Sequence, residues 1–364
     1  MSFLLRFGFL AAAVSSVTAQ TWTACNPLNT TDCPPDLALG DQHTWTFNET
    51  STLNEKVWTI TAGDIAYSKD GAEFTIAERL DSPTIQSEFY IFFGIVESHV
   101  KAATGGGVVS SVVLQSDDLD EIDWEWIGSD GGRVQSNYYG KGNATYGRAG
   151  FHDVEGGATD GFHNYTTHWT KEKLEWWIDG KLVRTVTYED ALGGKNYPQT
   201  PCNVRIGIWP GGDPKNPQGT IEWAGGPIDY NAVPYTMTLK QLRVQDFSSG
   251  KEYRYGDTSG SWQSIQIVKG NSTVKQELNK PPPKPLSQRW KELPRGAKIA
   301  IYCVIAGVCA SALGLLTFCC IKQRRLGRKE YSAEATKYDS ERTEMLNWQT
   351  EWKKKGGYQP VNGS

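Results

Sequence analysis

Between Leu119 and Trp126 the sequence reads LDEIDWEW, and the carboxylates of Glu121, Asp123 and Glu125 alternate there with Ile122, Trp124 and Trp126. Successive side chains of a β-strand point to opposite faces, so the acids share one face and the large apolar residues the other. The apolar face belongs in a core; the acidic face lines either open water or a site. Cleaving or transferring a glycosidic bond requires carboxyl groups on either side of the scissile bond. When configuration is retained they stand about 5–5.5 Å apart, one as nucleophile and one as acid/base. The backbones of Glu121 and Glu125 would lie about 13 Å apart on an extended strand, so their side chains have to converge, helped by strand curvature. Asp123 between them can hydrogen-bond the nucleophile. Crowding three acids also splits their pKa values, which keeps one Glu protonated near neutrality. Spacing alone leaves open a calcium site or a plain solvated face, although strand-alternating acids between tryptophans are unlike a calcium-binding loop. No metal and no cofactor is expected.

The elements that must hold this strand read as β throughout. From about Trp45 to Ile267, short runs rich in Val, Ile, Thr and aromatics are separated by breakers such as TGGG, SDGG and PGGDPKNP. WWIDGKLVRT is a hairpin signal with Asp179-Gly180 at its turn. The fold class expected is all-β, an antiparallel sandwich or barrel of residues 20–268. Parity then proposes substrate contacts. In RIGIW, Arg205 and Trp209 face away from Ile206 and Ile208; in GTIEW, read as a strand, Thr220 faces away from Ile221 and Trp223, with Trp223 assigned to the core. Gln135, Asn137, Tyr139 and Lys141 share one face after the acidic strand. His99, His163 and His168 lack metal-ligand spacing and are read as structural.

The ends of the chain concern placement. Residues 1–19 carry one arginine, an apolar stretch and a closing Val-Thr-Ala, which predicts a cleaved secretory leader. Ile299 to Ile321 holds no charged residue and is followed by Lys322, Arg324, Arg325, Arg328 and Lys329, as expected of one membrane crossing with a cytoplasmic basic flank. Residues 269–298, with a proline cluster at 281–283, read as a polar stalk, and 322–364 as a charged, disordered tail. The expectation is a type I, single-pass plasma-membrane protein with its β domain outside. Cys25 and Cys33 are close enough to close a small disulfide loop, leaving Cys202 as a buried thiol. Asn29, Asn48, Asn143, Asn164 and Asn271 stand in glycosylation triplets on the exported side; the Asn362 triplet would be silent in the cytoplasm. A formal net charge of -4 without a basic stripe argues against a nucleic-acid partner.

DEIDWEW followed by NYYGKG and, further on, GGDPKNPQGTIEWAGG resembles glycoside hydrolase family 16, and more closely the fungal cell-wall transglycosidases that join chitin to β-glucan. The likeness runs from TACNPL near Cys25 to YRYGDTSGSW around Tyr255. It implies a β-jelly-roll sandwich with an open substrate groove, Glu121 as nucleophile, Asp123 as helper and Glu125 as acid/base. It further implies a retaining transglycosylase with polysaccharide partners, a chitin-type β-1,4-linked donor and a β-glucan or chitin acceptor. Many relatives carry a GPI signal or a separate chitin-binding module, where this chain has an apolar span. The competing expectations are a β-glucan hydrolase on the same scaffold and a membrane-anchored polysaccharide sensor.

Overall fold

A computed structural model describes residues 22–143, 147–281 and 290–356. The expected leader and the Asn362 triplet lie outside the described residues. In chain order the strands are β1 (Asp36–Leu37), β2 (Gln42–Thr46), β3 (Trp58–Ala62), β4 (Ile65–Ser68), β5 (Gly71–Ile76) and β6 (Thr84–Ile91). There follow β7 (Gly94–Lys101), β8 (Val109–Ser116), β9 (Glu121–Ile127), β10 (Arg133–Tyr139), β11 (Gly150–Asp153) and β12 (His163–Trp169). The last are β13 (Lys173–Ile178), β14 (Lys181–Thr187), β15 (Cys202–Trp209), β16 (Tyr235–Asp246), β17 (Glu252–Tyr255) and β18 (Ile265–Val268). The helices are α1 (Gln218–Trp223), α2 (Thr273–Leu278) and α3 (Arg295–Lys354).

Apart from β1, β17 and β18, which make a separate three-stranded sheet, these strands form an antiparallel β-sandwich. One sheet has seven strands in the order β11-β10-β9-β8-β15-β6-β3, and the facing sheet runs β14-β13-β12-β7-β16-β5-β4 with β2 also on β16. The acidic strand β9 is central in the first. Its Ile122, Trp124 and Trp126 are each only 1% exposed. Trp124 and Trp126 meet Tyr165 of β12 edge-on, with centroids 5.5 and 4.6 Å apart, which is how the inner faces of packed sheets interdigitate. Its neighbours β8 and β15 are buried at every position, so they are covered on the outer face as well as the inner. Asp179 and Gly180 both take positive φ, 48° and 78°, at the turn joining β13 to β14, the geometry of a two-residue hairpin.

The first compact unit ends at Lys280, beyond the expected boundary at 268. The segment placed in the stalk begins instead with α2. Ser272 caps it, accepting from the Lys275 N–H (3.0 Å) while donating to the Ala38 carbonyl (2.6 Å), and Val274 is buried. Cys25 and Cys33 are joined by a disulfide, and Cys202 is a buried free thiol. Asn29, Asn143 and Asn271 are exposed, whereas Asn48 and Asn164 are half-buried. His163 pairs with Asp179 (2.7 Å) and His168 with Glu175 (3.0 Å).

The second unit contains α3, exposed along its whole length and long and apolar enough to cross a membrane. It continues through Lys354, so most of the segment expected to be disordered is helical. The tail has the means: good helix formers recur, and Lys337 and Glu341 pair one turn apart.

Truncating Trp126 to alanine leaves a cavity behind β9 and should destabilise the domain by about 3–5 kcal/mol, read as a fall in the urea midpoint. A change under about 1 kcal/mol would mean the strand is not held by its apolar face.

Candidate active site

The start of β9 is locked by the residue before it. The carboxylate of Asp120 accepts the Lys141 N–H (2.9 Å), the Gln199 N–H (2.7 Å) and both the N–H (3.1 Å) and hydroxyl (2.8 Å) of Thr200. Burial pushes its pKa up to about 7 despite these donors. One side chain therefore ties the entry to β9 to the exit from β10 and to the loop before β15. Glu121 follows directly.

Strand register then lays out the outer face row by row. Glu121 lies between Tyr139 of β10 and Gln115 of β8, with Asn203 and Tyr90 beyond. Asp123 lies between Asn137 and Val113, with Arg205 and Gln86 beyond. Glu125 lies between Gln135 and Ser111, with Gly207 and Thr84 beyond and Phe151 at the other edge. Ser111 and Gly207 keep the row beside Glu125 shallow in side chains, leaving depth for a ligand. Val109 and Trp209 form a last row past Glu125.

The three acids are not equivalent. Glu121 and Asp123 are buried and Glu125 is partly exposed. Burial first, then the charge of Glu121, pushes Glu125 up to about 8. Asp123 is also held well above the carboxylate range, by burial, by both neighbouring acids and by its hydrogen bond to Glu121. A hydrogen bond between two carboxyls needs one proton, and Asp123 is the group that keeps it. Arg184 of β14 opposes this rise. Its guanidinium donates to the carbonyl (2.8 Å) and hydroxyl (2.9 Å) of Ser136 and lies 4.7 Å from the Trp176 ring. The arrangement offers one carboxylate stabilised by a donor and one carboxylic acid, on one face of one strand.

The remaining sequence expectations divide. Gln135, Asn137 and Tyr139 occupy the outer face opposite the acids, and the Asn137 amide donates to the Tyr139 hydroxyl (2.6 Å). Lys141 does not continue that face. β10 ends at Tyr139, Lys141 turns with φ +53°, and its charge lies by Asp118. Arg205 is on the face but buried, bonded to Asn203 Oδ1 (3.0 Å) and the Trp22 carbonyl (3.0 Å).

The GTIEW segment is helix α1 and not a strand, so the parity that selected Thr220 does not apply. Pro217 is its N-cap, with φ -55° and ψ 144°, and its carbonyl accepts the Thr220 and Ile221 N–H groups of the first turn. Trp223, assigned to the core, is instead partly exposed over the outer face. Its indole N–H donates to Gln135 Oε1 (2.8 Å), and its ring stacks on Trp209 with centroids 5.9 Å apart. Trp209 is consequently 6% exposed, covered by its partner and not an open platform. Sequence reasoning also missed Asp120, Gln115 and Phe151; Gln115 and Phe151 follow from register once β8–β11 are paired, whereas Asp120 is known only by its hydrogen bonds to segments distant in the chain.

Residues 52–225 match Glycosyl hydrolases family 16. Crh-like protein 3 of Aspergillus fumigatus is 57% identical, with 100% of each chain covered. Congo red hypersensitive protein 1 of Saccharomyces cerevisiae is 48% identical over 68% of this chain and 48% of its own length. Among solved structures, a Crh5 transglycosylase in complex with NAG superposes with a TM-score of 0.64 at 51% identity, covering 67% of this chain and 99% of that one. With this architecture and these relatives, the chain belongs to glycosyl hydrolases family 16, among its Crh-like proteins.

Proposed function

We propose that the chain is a retaining transglycosylase of the fungal cell wall, which cleaves a chitin-type β-linked donor and passes the fragment to a β-glucan acceptor. The observation that carries this is the placing of three carboxyl groups on the outer face of β9, where Asp123 hydrogen-bonds Glu121 and burial, with the charge of Glu121, raises the pKa of Glu125. The transglycosylase bound to NAG, the sugar unit of chitin, supports the choice of donor. The apolar stretch of α3 supports anchoring by one span, with the β domain facing the wall.

In the first step the Glu121 carboxylate attacks the anomeric carbon while Glu125 gives its proton to the departing glycosidic oxygen. Asp123 donates to Glu121 in its charged form, and that hydrogen bond weakens as Glu121 loses its charge in forming the neutral ester and the charge passes to the deprotonated Glu125. In the second step an acceptor hydroxyl attacks the same carbon, its proton passes to Glu125, and the Glu121 carboxylate is restored. Nucleophile, anomeric carbon and departing oxygen stand in line during each displacement. The donor ring therefore lies toward the Glu121 end of β9, and the departing or accepting chain toward Glu125. Trp223 and Trp209 stand past Glu125, where an acceptor must be held close enough to outcompete water.

Incubating the full-length protein with chitin oligomers and a labelled β-glucan oligomer should yield labelled hybrids of higher mass. Shortened chains alone would favour the hydrolase reading, and binding without turnover the sensor. Glu121→Gln and Glu125→Gln should each lower turnover by about three orders of magnitude or more with the urea midpoint little changed. Near wild-type turnover in Glu121→Gln would remove the nucleophile assignment.

The acid form of Glu125 is the active one, so kcat/KM should fall as pH rises through about 8. An alkaline limb at the ordinary Glu value, about 4.3, would contradict the burial argument. Trp223→Ala should cut transfer about ten-fold while sparing glycosyl-enzyme formation, raising the hydrolysis-to-transfer ratio. An unchanged ratio would place Trp223 outside the acceptor side.

A further inference from the structure

The outer face has a wall at its other end, formed by the N-terminal segment. The Trp22 N–H donates to Gln115 Oε1 (3.2 Å) and its carbonyl accepts from Arg205 Nη2 (3.0 Å). Gln115 is the cross-strand partner of Glu121, and Arg205 lies two strands from Asp123. Those contacts reach 93 and 183 residues along the chain and fix the main chain of Trp22 directly over the floor. The segment behind it is held as well. The Thr23 hydroxyl donates to the Cys25 carbonyl (2.8 Å), and the Cys25–Cys33 disulfide closes the loop that follows.

The ring itself is left open. Trp22 is 50% exposed, although the Arg205 guanidinium lies 5.5 Å from its centroid. A flat apolar surface, fixed at its backbone and bare beside a polar floor, is how proteins present an aromatic to the C–H face of a sugar ring.

We infer that Trp22 is a donor-side stacking platform, which binds a sugar ring of a β-linked saccharide beyond the ring being cleaved. This rests on the proposed function for the direction of the chain, since the Glu121 end is the donor end. Strand spacing puts the Arg205 position on the order of 10 Å from β9. A donor has to extend past the reacting ring to reach the platform, so Trp22 should act through donor length.

The test compares the full-length protein with Trp22→Ala and Trp22→Phe on a series of chitin oligomers of increasing length, with kcat/KM for donor consumption measured at each. In the wild type kcat/KM rises with length. In Trp22→Ala the ratio of kcat/KM on the longest donor to that on the shortest should fall about ten-fold, and Trp22→Phe should restore most of it. A ratio equal to wild type in Trp22→Ala overturns the platform. So does a rise in activity at every length, which would make the N-terminal segment a plug over the face. If the wild type consumes no chitin oligomer, the proposed donor fails, and the same series run with β-glucan oligomers judges Trp22 by the same ratio. Equal urea midpoints for the three proteins exclude misfolding as the cause of any loss.

Discussion

Carboxyl groups two residues apart repel once ionised, and an unsupported strand would relax by twisting them away from one another. β9 cannot do so, because its opposite face is committed. Trp124 and Trp126 are locked against Tyr165 across the sandwich, and any rotation that separated the acids would pull indoles out of the core. Burial first, and the repulsion second, therefore raise the pKa values of Asp123 and Glu125 where the strand cannot move. Both shifts favour the protonated forms of Asp123 and Glu125 beside Glu121, which shares a hydrogen bond with Asp123. Apolar packing on one face of the strand thus sets the charge states on the other.

The same logic explains why so much polar machinery sits behind the acids. Asp120 fixes where β9 begins and Arg184 offsets part of the penalty on Asp123 from across the sandwich. Neither needs to touch a ligand to matter. Each controls where a carboxyl group stands or how firmly it holds its proton, and at a site built from three acids those are the quantities that decide reactivity.

How much of this was legible in the sequence follows from how local each signal is. β9 was readable because alternation of acids with Ile and Trp is a property of a few adjacent residues, and the antiparallel sandwich because many such runs recur between breakers. GTIEW misled because its apolar residues fit a period of two as well as a short helical turn, and the six residues of α1 are too few to separate them. Lys141 misled because parity was extended past a strand end that a positive φ at that residue imposes. The tail misled because its charges, which suggested a solvated coil, also pair along a helix. The contacts of Trp22 with Gln115 and Arg205, and of Trp223 with Gln135, join segments far apart in the chain, and no local pattern announces them.

The floor and the walls of the site come from different kinds of chain. The floor is the middle of a seven-stranded sheet, where altering one residue disturbs two neighbours and a core beneath. The walls are a loop-borne helical turn at one end and an N-terminal segment at the other, each attached by a few bonds to Gln135, Gln115 and Arg205. Substitutions in those segments can reshape the ends of the face without touching the strand that carries the acids, so a chain of this design has a route to altered recognition that leaves the carboxyl cluster in place.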